Sequence, residues 1–275
     1  MQRNAREVPY ENEGGTIVKQ EMMTVLAQKE LAPKIYEMTL TGKLVKEMTI
    51  PGQFLHVKAP RADLLLRRPI SLASVDQKNA SCKLIYRTEG VGTELFSQLV
   101  PDDQVDVMGP LGNGFPVEFL GKEDLVFIIG GGIGVPPLFE LAKKVKEKGS
   151  KIVFFLGFAK KEVIFYEQEF AQMGEVHLST DDGSYGVKGH VGTMLSKVLQ
   201  KEKPTAVYSC GSNGLLKAVD HYFADLEHAY LSLEARMACG MGACYACVCP
   251  TRADRGKSKK ICDEGPVFST GEVIL

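Results

Sequence analysis

Residues Leu125–Leu138 read LVFIIGGGIGVPPL. A continuous apolar run ends in four glycines within five residues, Gly130, Gly131, Gly132 and Gly134, and a helix-compatible stretch follows. Such a run reads as a strand buried on both faces, the mark of a parallel sheet. Glycines at its carboxyl end let the backbone approach a pyrophosphate, and the next helix supplies N–H donors and the positive end of its dipole. The spacing departs from G-x-G-x-x-G, because prolines stand at positions 136 and 137. A plain strand-to-helix turn is the alternative; the glycine density favours a nucleotide site.

Downstream, strands and helices alternate. KIVFFLGF (151–158), Val176–Ser179 and TAVYSCG (205–211) read as strands. Pro137–Lys148, Phe165–Met173, Val191–Gln200 and Leu215–Glu227 read as helices. This order predicts right-handed crossovers and a doubly wound parallel α/β sheet over 119–228, with the nucleotide site at its glycine loop. Cys210 and Gly211 end the fourth strand and are placed on the same crevice as the glycine loop, although a buried small thiol is the ordinary reading of Cys210 alone.

Upstream, the pattern is short strands and turns: Met22–Leu26, Ile35–Thr41, Gln53–Lys58, Ile70–Val75, Ser81–Tyr86 and Gln104–Gly109, with one helix at Gly92–Leu99. Strands at this spacing predict a small antiparallel barrel over 22–118. Residues 1–21 are polar and read as a tail. Within the barrel, Arg68 of RRPIS offers a bidentate partner for phosphate and Ser71 a hydroxyl beside it; alone, the motif reads equally well as a solvated basic turn.

Residues 229–275 form a third module with five of the seven cysteines. Cys239, Cys244, Cys247 and Cys262 stand at C-x4-C-x2-C-x14-C, and C-x4-C-x2-C…C is the plant-type spacing for a 2Fe–2S cluster. Small residues between them suit a loop that wraps its N–H groups around sulfide. Structural zinc prefers two C-x2–4-C knuckles and is the competing reading. Cys249 is a spare thiol that an extended segment would place on the same face as Cys247. Cys82 reads as a buried strand residue.

Net charge is −1, from 33 basic and 34 acidic residues, so no field of one sign recruits nucleic acid or an anionic membrane. No secretory signal precedes the fold, and no apolar stretch reaches the roughly 18–20 residues of a membrane span. A cytoplasmic chain with reduced thiols is expected, which disfavours a disulfide scaffold.

LRRPISLASV, LIYRTEGVGTELFS, VMGPLGNGFP, GGGIGVPPL, CGSNGLLKA and LEARMACGMGACYACVC…CDEGPVF resemble, in order and spacing, the electron-transfer subunits of type B dihydroorotate dehydrogenase. The likeness runs from about Met22 to Leu275. It implies a ferredoxin-reductase-like fold: an antiparallel FAD barrel, a doubly wound parallel NAD-binding sheet and a small C-terminal 2Fe–2S module. The cofactors implied are FAD, a 2Fe–2S cluster and NAD. The partner implied is the FMN-containing catalytic subunit, in a heterotetramer of two of each, acting in pyrimidine biosynthesis. Electrons would pass from that FMN through the cluster and FAD to NAD.

By motif, the FAD residues are Arg68, Pro69, Ile70 and Ser71, then Ile85, Tyr86 and Arg87, then Gly92 and Thr93. Ile70 stands where the wider superfamily has tyrosine. The cluster ligands are Cys239, Cys244, Cys247 and Cys262. NADP-linked relatives carry a Ser-Arg pair after the third strand, where this chain has Thr180-Asp181-Asp182. Carboxylates repel a 2′-phosphate and accept from ribose hydroxyls, so Asp181 predicts NAD, with Lys188 close by as a counterweight. No catalytic acid or base is nominated. Two rivals remain: an NAD(P)H reductase subunit of a hydrogenase, sulfide dehydrogenase or ferredoxin-dependent complex, and a zinc-stabilised, non-enzymatic binding protein.

Overall fold

A computed structural model describes residues 18–198 and 202–275. The chain enters the fold through β1 (Gln20–Ala32) and turns at Pro33-Lys34 into β2 (Ile35–Thr41), with Lys34 in the left-handed region at φ 64°. β3 (Phe54–Val57), β4 (Arg68–Asp76), β5 (Ser81–Arg87), α1 (Val91–Ser97) and β6 (Gln104–Leu111) complete a closed antiparallel barrel of order β1-β2-β5-β4-β3-β6. Alternate residues point inward, as the pleat requires. Met23, Val25, Met38, Leu40, Leu55, Val57, Leu84 and Val107 are fully buried there, and Phe96 of α1 packs among them. Burying such a side chain contributes about 1.5–3 kcal/mol.

The second half is a sheet of order β10-β9-β8-β7-β11-β12-β15. In chain order its elements are β7 (Leu125–Gly131), α2 (Pro136–Lys148), β8 (Lys151–Phe158), α3 (Glu167–Ala171), β9 (Glu175–Thr180), β10 (Val187–Lys188), α4 (Val191–Val198), β11 (Ala206–Cys210), α5 (Asn213–Tyr222) and β12 (Ala229–Ser232). The hairpin β13 (Val248–Pro250) and β14 (Ser258–Lys260) follows, then β15 (Val267–Ser269). Strand order reverses between β7 and β11, so the crevice beyond their carboxyl ends is the expected ligand position. Pro136 and Pro137 occupy the first turn of α2, where a missing N–H costs nothing, and Gly149 ends it at φ 85°.

Four expectations change. Residues 18–21 are not tail: Val18 is buried and β1 already pairs Gln20 with Met108, because backbone pairing tolerates the polar side chains on its outer face. The expected tail otherwise lies outside the described residues, as do positions 199 and 200 of the expected Val191–Gln200 helix. Phe165–Met173 shortens to α3, because Phe165 is buried against Phe158 and Tyr166 takes φ 62°. The last helix starts at Asn213, where the Ser212 hydroxyl accepts from the Leu215 N–H (3.4 Å), and stops at Tyr222. The parallel sheet also runs past residue 228: β12 lies parallel to β11, and β15 pairs antiparallel with β12. Four residues of mixed polarity carry no readable period, and β15 arrives from the end of the chain.

Buried polar contacts join the halves. Glu140 of α2 accepts from the Val75 N–H of the barrel (2.9 Å) and pairs with Lys143 (2.7 Å). The Tyr166 hydroxyl donates to Glu37 of β2. Asn113, after β6, bonds the backbone of Glu264 and Val267, fastening the cysteine module to the barrel.

Candidate functional site

A cleft of about 450 Å³ opens where β4 and β5 meet the segment after β12. Arg68, Pro69, Ile70, Ser71, Ile85, Tyr86, Arg87 and Thr93 line it, as the motifs predicted. Gly92 lies behind the wall: a Cβ there would stand 2.4 Å from the Arg68 Nε, so the missing side chain makes room for the guanidinium. The two arginines of RRPIS separate. Arg67 turns away, its Nη2 donating to both carboxylate oxygens of Asp106 (2.8 and 2.9 Å), leaving Arg68 to the cleft. Tyr86 is buried in the barrel, edge-on to Phe96, and its hydroxyl accepts from Gln28, so it offers the cleft mainly backbone. Thr93 accepts from the Glu89 N–H (3.0 Å) and shapes the turn that carries the Arg87–Glu89 ion pair.

A second cleft, of about 910 Å³, lies at the carboxyl ends of β7 and β11. Gly131, Gly132, Gly134, Asp181 and Gly211 line it. Gly132 sits at φ 52° with open space where a Cβ would point. Gly134 serves packing, since a Cβ would lie 2.5 Å from the Gly211 nitrogen. Gly130 and Cys210 are not in the wall. Gly130 is held between Leu138 and Val135, and Cys210 is core, its thiol pushed up by burial. The acidic pair divides. Asp182 accepts from the Ser184 N–H and hydroxyl (2.9 and 2.6 Å), which hold its carboxyl below the usual range; Asp181 faces the cleft with His190 at 3.5 Å.

Arg87, Ile133 and Glu234 line both clefts. Sequence reading passed over Ile133 as the one non-glycine of its loop. It also passed over Glu234, which stands two residues beyond a strand too short to recognise.

The cysteine loop runs from the same segment. Met237, Cys247 and Cys262 share one core with Phe54 and Met108 of the barrel. The four predicted thiols meet in two pairs. Loop N–H groups at Cys239 and Ala246, and the Cys239 thiol, hold Cys244 below the ordinary thiol range. The hydrogen bond shared with Cys262 lowers Cys247 to about 6 and pushes Cys262 up. The Gly242 N–H donates to the Cys262 Sγ (3.1 Å) and the Met241 N–H to the Cys239 Sγ (3.5 Å). Gly240 and Gly242 hold φ 73° and 84°, and a Cβ on either would strike His56 or Asp263. Two thiol pairs, N–H groups aimed at sulfur and a loop with no room for a side chain at Gly240 and Gly242 fit a two-iron cluster. Cys249 stays apart: it is buried, burial raises its pKa, and its thiol contacts the Lys259 carbonyl (3.7 Å). Cys82 is barrel core, its thiol pushed up to about 12.

Residues 234–274 match the iron–sulfur cluster binding domain of dihydroorotate dehydrogenase B, and residues 128–221 match the oxidoreductase NAD-binding domain. The chain is 58% identical over 260 residues to the dihydroorotate dehydrogenase B (NAD(+)) electron transfer subunit of Enterococcus faecalis, covering 94% of this chain and 99% of that one. Against the subunit of the same name from Streptococcus pneumoniae it is 50% identical over 259 residues, covering 94% and 100%. A solved NADH-dependent reduced ferredoxin–NADP oxidoreductase has a TM-score of 0.83 at 25% identity, over 92% of this chain and 90% of that chain. A Neisseria gonorrhoeae ferredoxin NADP+ reductase with bound FAD and NADP has a TM-score of 0.65 at 14% identity, over 79% and 94%. Barrel, doubly wound sheet, paired clefts and cysteine loop define a ferredoxin-reductase-like oxidoreductase with an iron–sulfur module. Within that class, the chain belongs to the family of dihydroorotate dehydrogenase B (NAD(+)) electron transfer subunits.

Proposed function

We propose that this chain receives electrons from a dihydroorotate-oxidising, FMN-bearing catalytic subunit and delivers them to NAD+ in pyrimidine biosynthesis. The observation that carries the reading is the sharing of Arg87, Ile133 and Glu234 by the two clefts, with the cysteine loop against the wall of the first. When bound, FAD supplies the exchange between single electrons on the cluster side and a hydride on the nicotinamide side.

The chain's own residues do the rest. Arg68 and Arg87 neutralise the FAD pyrophosphate, Ser71 and the backbone of Ile85 and Tyr86 orient the flavin, and Gly92 keeps Arg68 in place. Gly131 and Gly132 admit the NAD pyrophosphate, while Gly134 and Gly211 let β7 and β11 approach. Cys239, Cys244, Cys247 and Cys262 would hold the two-iron cluster. Exposed Cys244, Tyr245 and Val248 mark the face turned to the catalytic subunit, in an assembly of two of each chain. Among the described residues no helix is long and apolar enough to cross a membrane, and we place the complex in the cytoplasm.

Anaerobically purified protein should carry about two irons, two sulfides and one FAD per chain and bleach on NADH addition. An FMN protein should co-purify with it. Zinc with no flavin would sink the reading.

Asp181 supports NAD over NADP. Asp181→Ser removes a carboxylate that a 2′-phosphate would face across water, an interaction worth about 1 kcal/mol. The NAD/NADP ratio of kcat/KM should therefore fall about fivefold. An unchanged ratio would remove Asp181 from the ribose site.

A further inference from the structure

His56 lies on β3, fully buried, cross-strand from Pro69 of the first cleft on one side and from Met108 on the other. Its ring also meets the cysteine loop: a Cβ on Gly240, the residue after Cys239, would stand 2.4 Å from its Nδ1. The imidazole therefore bridges the wall of the FAD cleft and the first ligand of the cluster loop. Neither ring nitrogen has a hydrogen-bond partner among the described residues, although the carbonyls of Cys239 and Arg67 stand near the ring.

An orphaned buried polar group costs about 1–3 kcal/mol, and a leucine would fill the same space without that cost. The neighbouring positions of this face, Phe54 and Met108, are apolar. A buried polar ring with only the backbone carbonyls of Cys239 and Arg67 beside it, pressed against a ligand loop, is placed to serve what that loop binds. Groups of this kind orient the ligands of a metal centre and set its potential.

We propose that His56 is a positioning residue for the iron–sulfur cluster: its ring N–H donates toward the Cys239 end of the cluster, tuning the potential and fixing the loop against the FAD barrel. The proposal rests on the cluster assignment above. A donor beside the cluster stabilises its reduced, more negative state, so removing the donor lowers the potential.

The whole complex, labelled with 15N only in histidine, gives the decisive measurement. His56 is the one histidine of five in the barrel; the others, His177, His190, His221 and His228, belong to the second half. Pulsed EPR of the reduced cluster should show a nitrogen coupling that changes between 14N- and 15N-histidine samples, in wild-type protein and without any substitution. His56→Leu should retain two irons and FAD, lose that coupling, and shift the one-electron equilibrium of the cluster about tenfold toward the oxidised form, about 59 mV. His56→Gln, which retains an N–H donor, should recover most of that shift. A cluster with no histidine coupling in the wild-type protein overturns the proposal while leaving the cluster assignment intact. Absence of iron and sulfide overturns both.

Discussion

Cys244→Ser should abolish electron transfer from the catalytic subunit and leave the flavin half working. Cys244 is exposed and pairs with Cys239, so the serine leaves the barrel core and the Cys247–Cys262 pair untouched. An alkoxide is a far harder ligand than the thiolate it replaces, and iron–sulfur clusters are held by thiolates. Iron and sulfide should fall to background, and partner-driven NAD+ reduction should fall with them. FAD content and NADH oxidation by an acceptor that draws electrons from the flavin should survive, because the cleft proposed for FAD is built from β4, β5 and the segment after β12. Loss of FAD along with the cluster would refute that separation. Cys249→Ser is the control: burial raises the pKa of its thiol, which is turned to the Lys259 carbonyl, so the cluster should persist.

Arg68→Ala should be the most damaging single change in the FAD cleft. A hydrogen bond to a charged group contributes about 1.5–3 kcal/mol. Its loss therefore weakens FAD binding about 10- to 100-fold, and titration of the apoprotein by quenching of flavin fluorescence would read this directly. Arg68→Lys should recover part of the loss, since lysine keeps the charge without the bidentate fork. Arg67→Ala should behave differently. That guanidinium holds Asp106 and the carbonyls of His56 and Asp106, so its removal leaves a half-buried carboxylate with only the Gln20 amide (2.7 Å) and lowers the melting temperature before it touches FAD affinity. Equal FAD affinity in wild type and Arg68→Ala would remove the arginine from the pyrophosphate site.

The contrast between these two arginines shows where sequence reading stops. RRPIS presents two adjacent guanidinium groups; Arg68 opens β4, and Arg67 stands just before it. Which one faces the first cleft depends on where Asp106 lies, and β6 supplies that residue from 39 positions downstream. The same holds for the glycine loop. Its density announces a close approach, but only the register of β7 against β11 shows that Gly134 makes room for Gly211 while Gly132 faces the open cleft. Cys210, on a strand end, is packed into the core instead.

By itself the sequence determined the three parts and their chemistry. Period-two and continuous apolar runs separate barrel from parallel sheet, and these patterns are local. The C-x4-C-x2-C…C spacing names its metal centre, because ligand geometry is set over a few residues of loop. Tertiary structure alone decided how the parts meet. β12 and β15 extend the parallel sheet into the cysteine module, Glu234 and Ile133 join Arg87 between the two clefts, and His56 comes to lie between the FAD cleft and the cluster loop. Each of these joins segments distant in sequence through side-chain packing, and packing between distant segments leaves no period or motif in either segment alone.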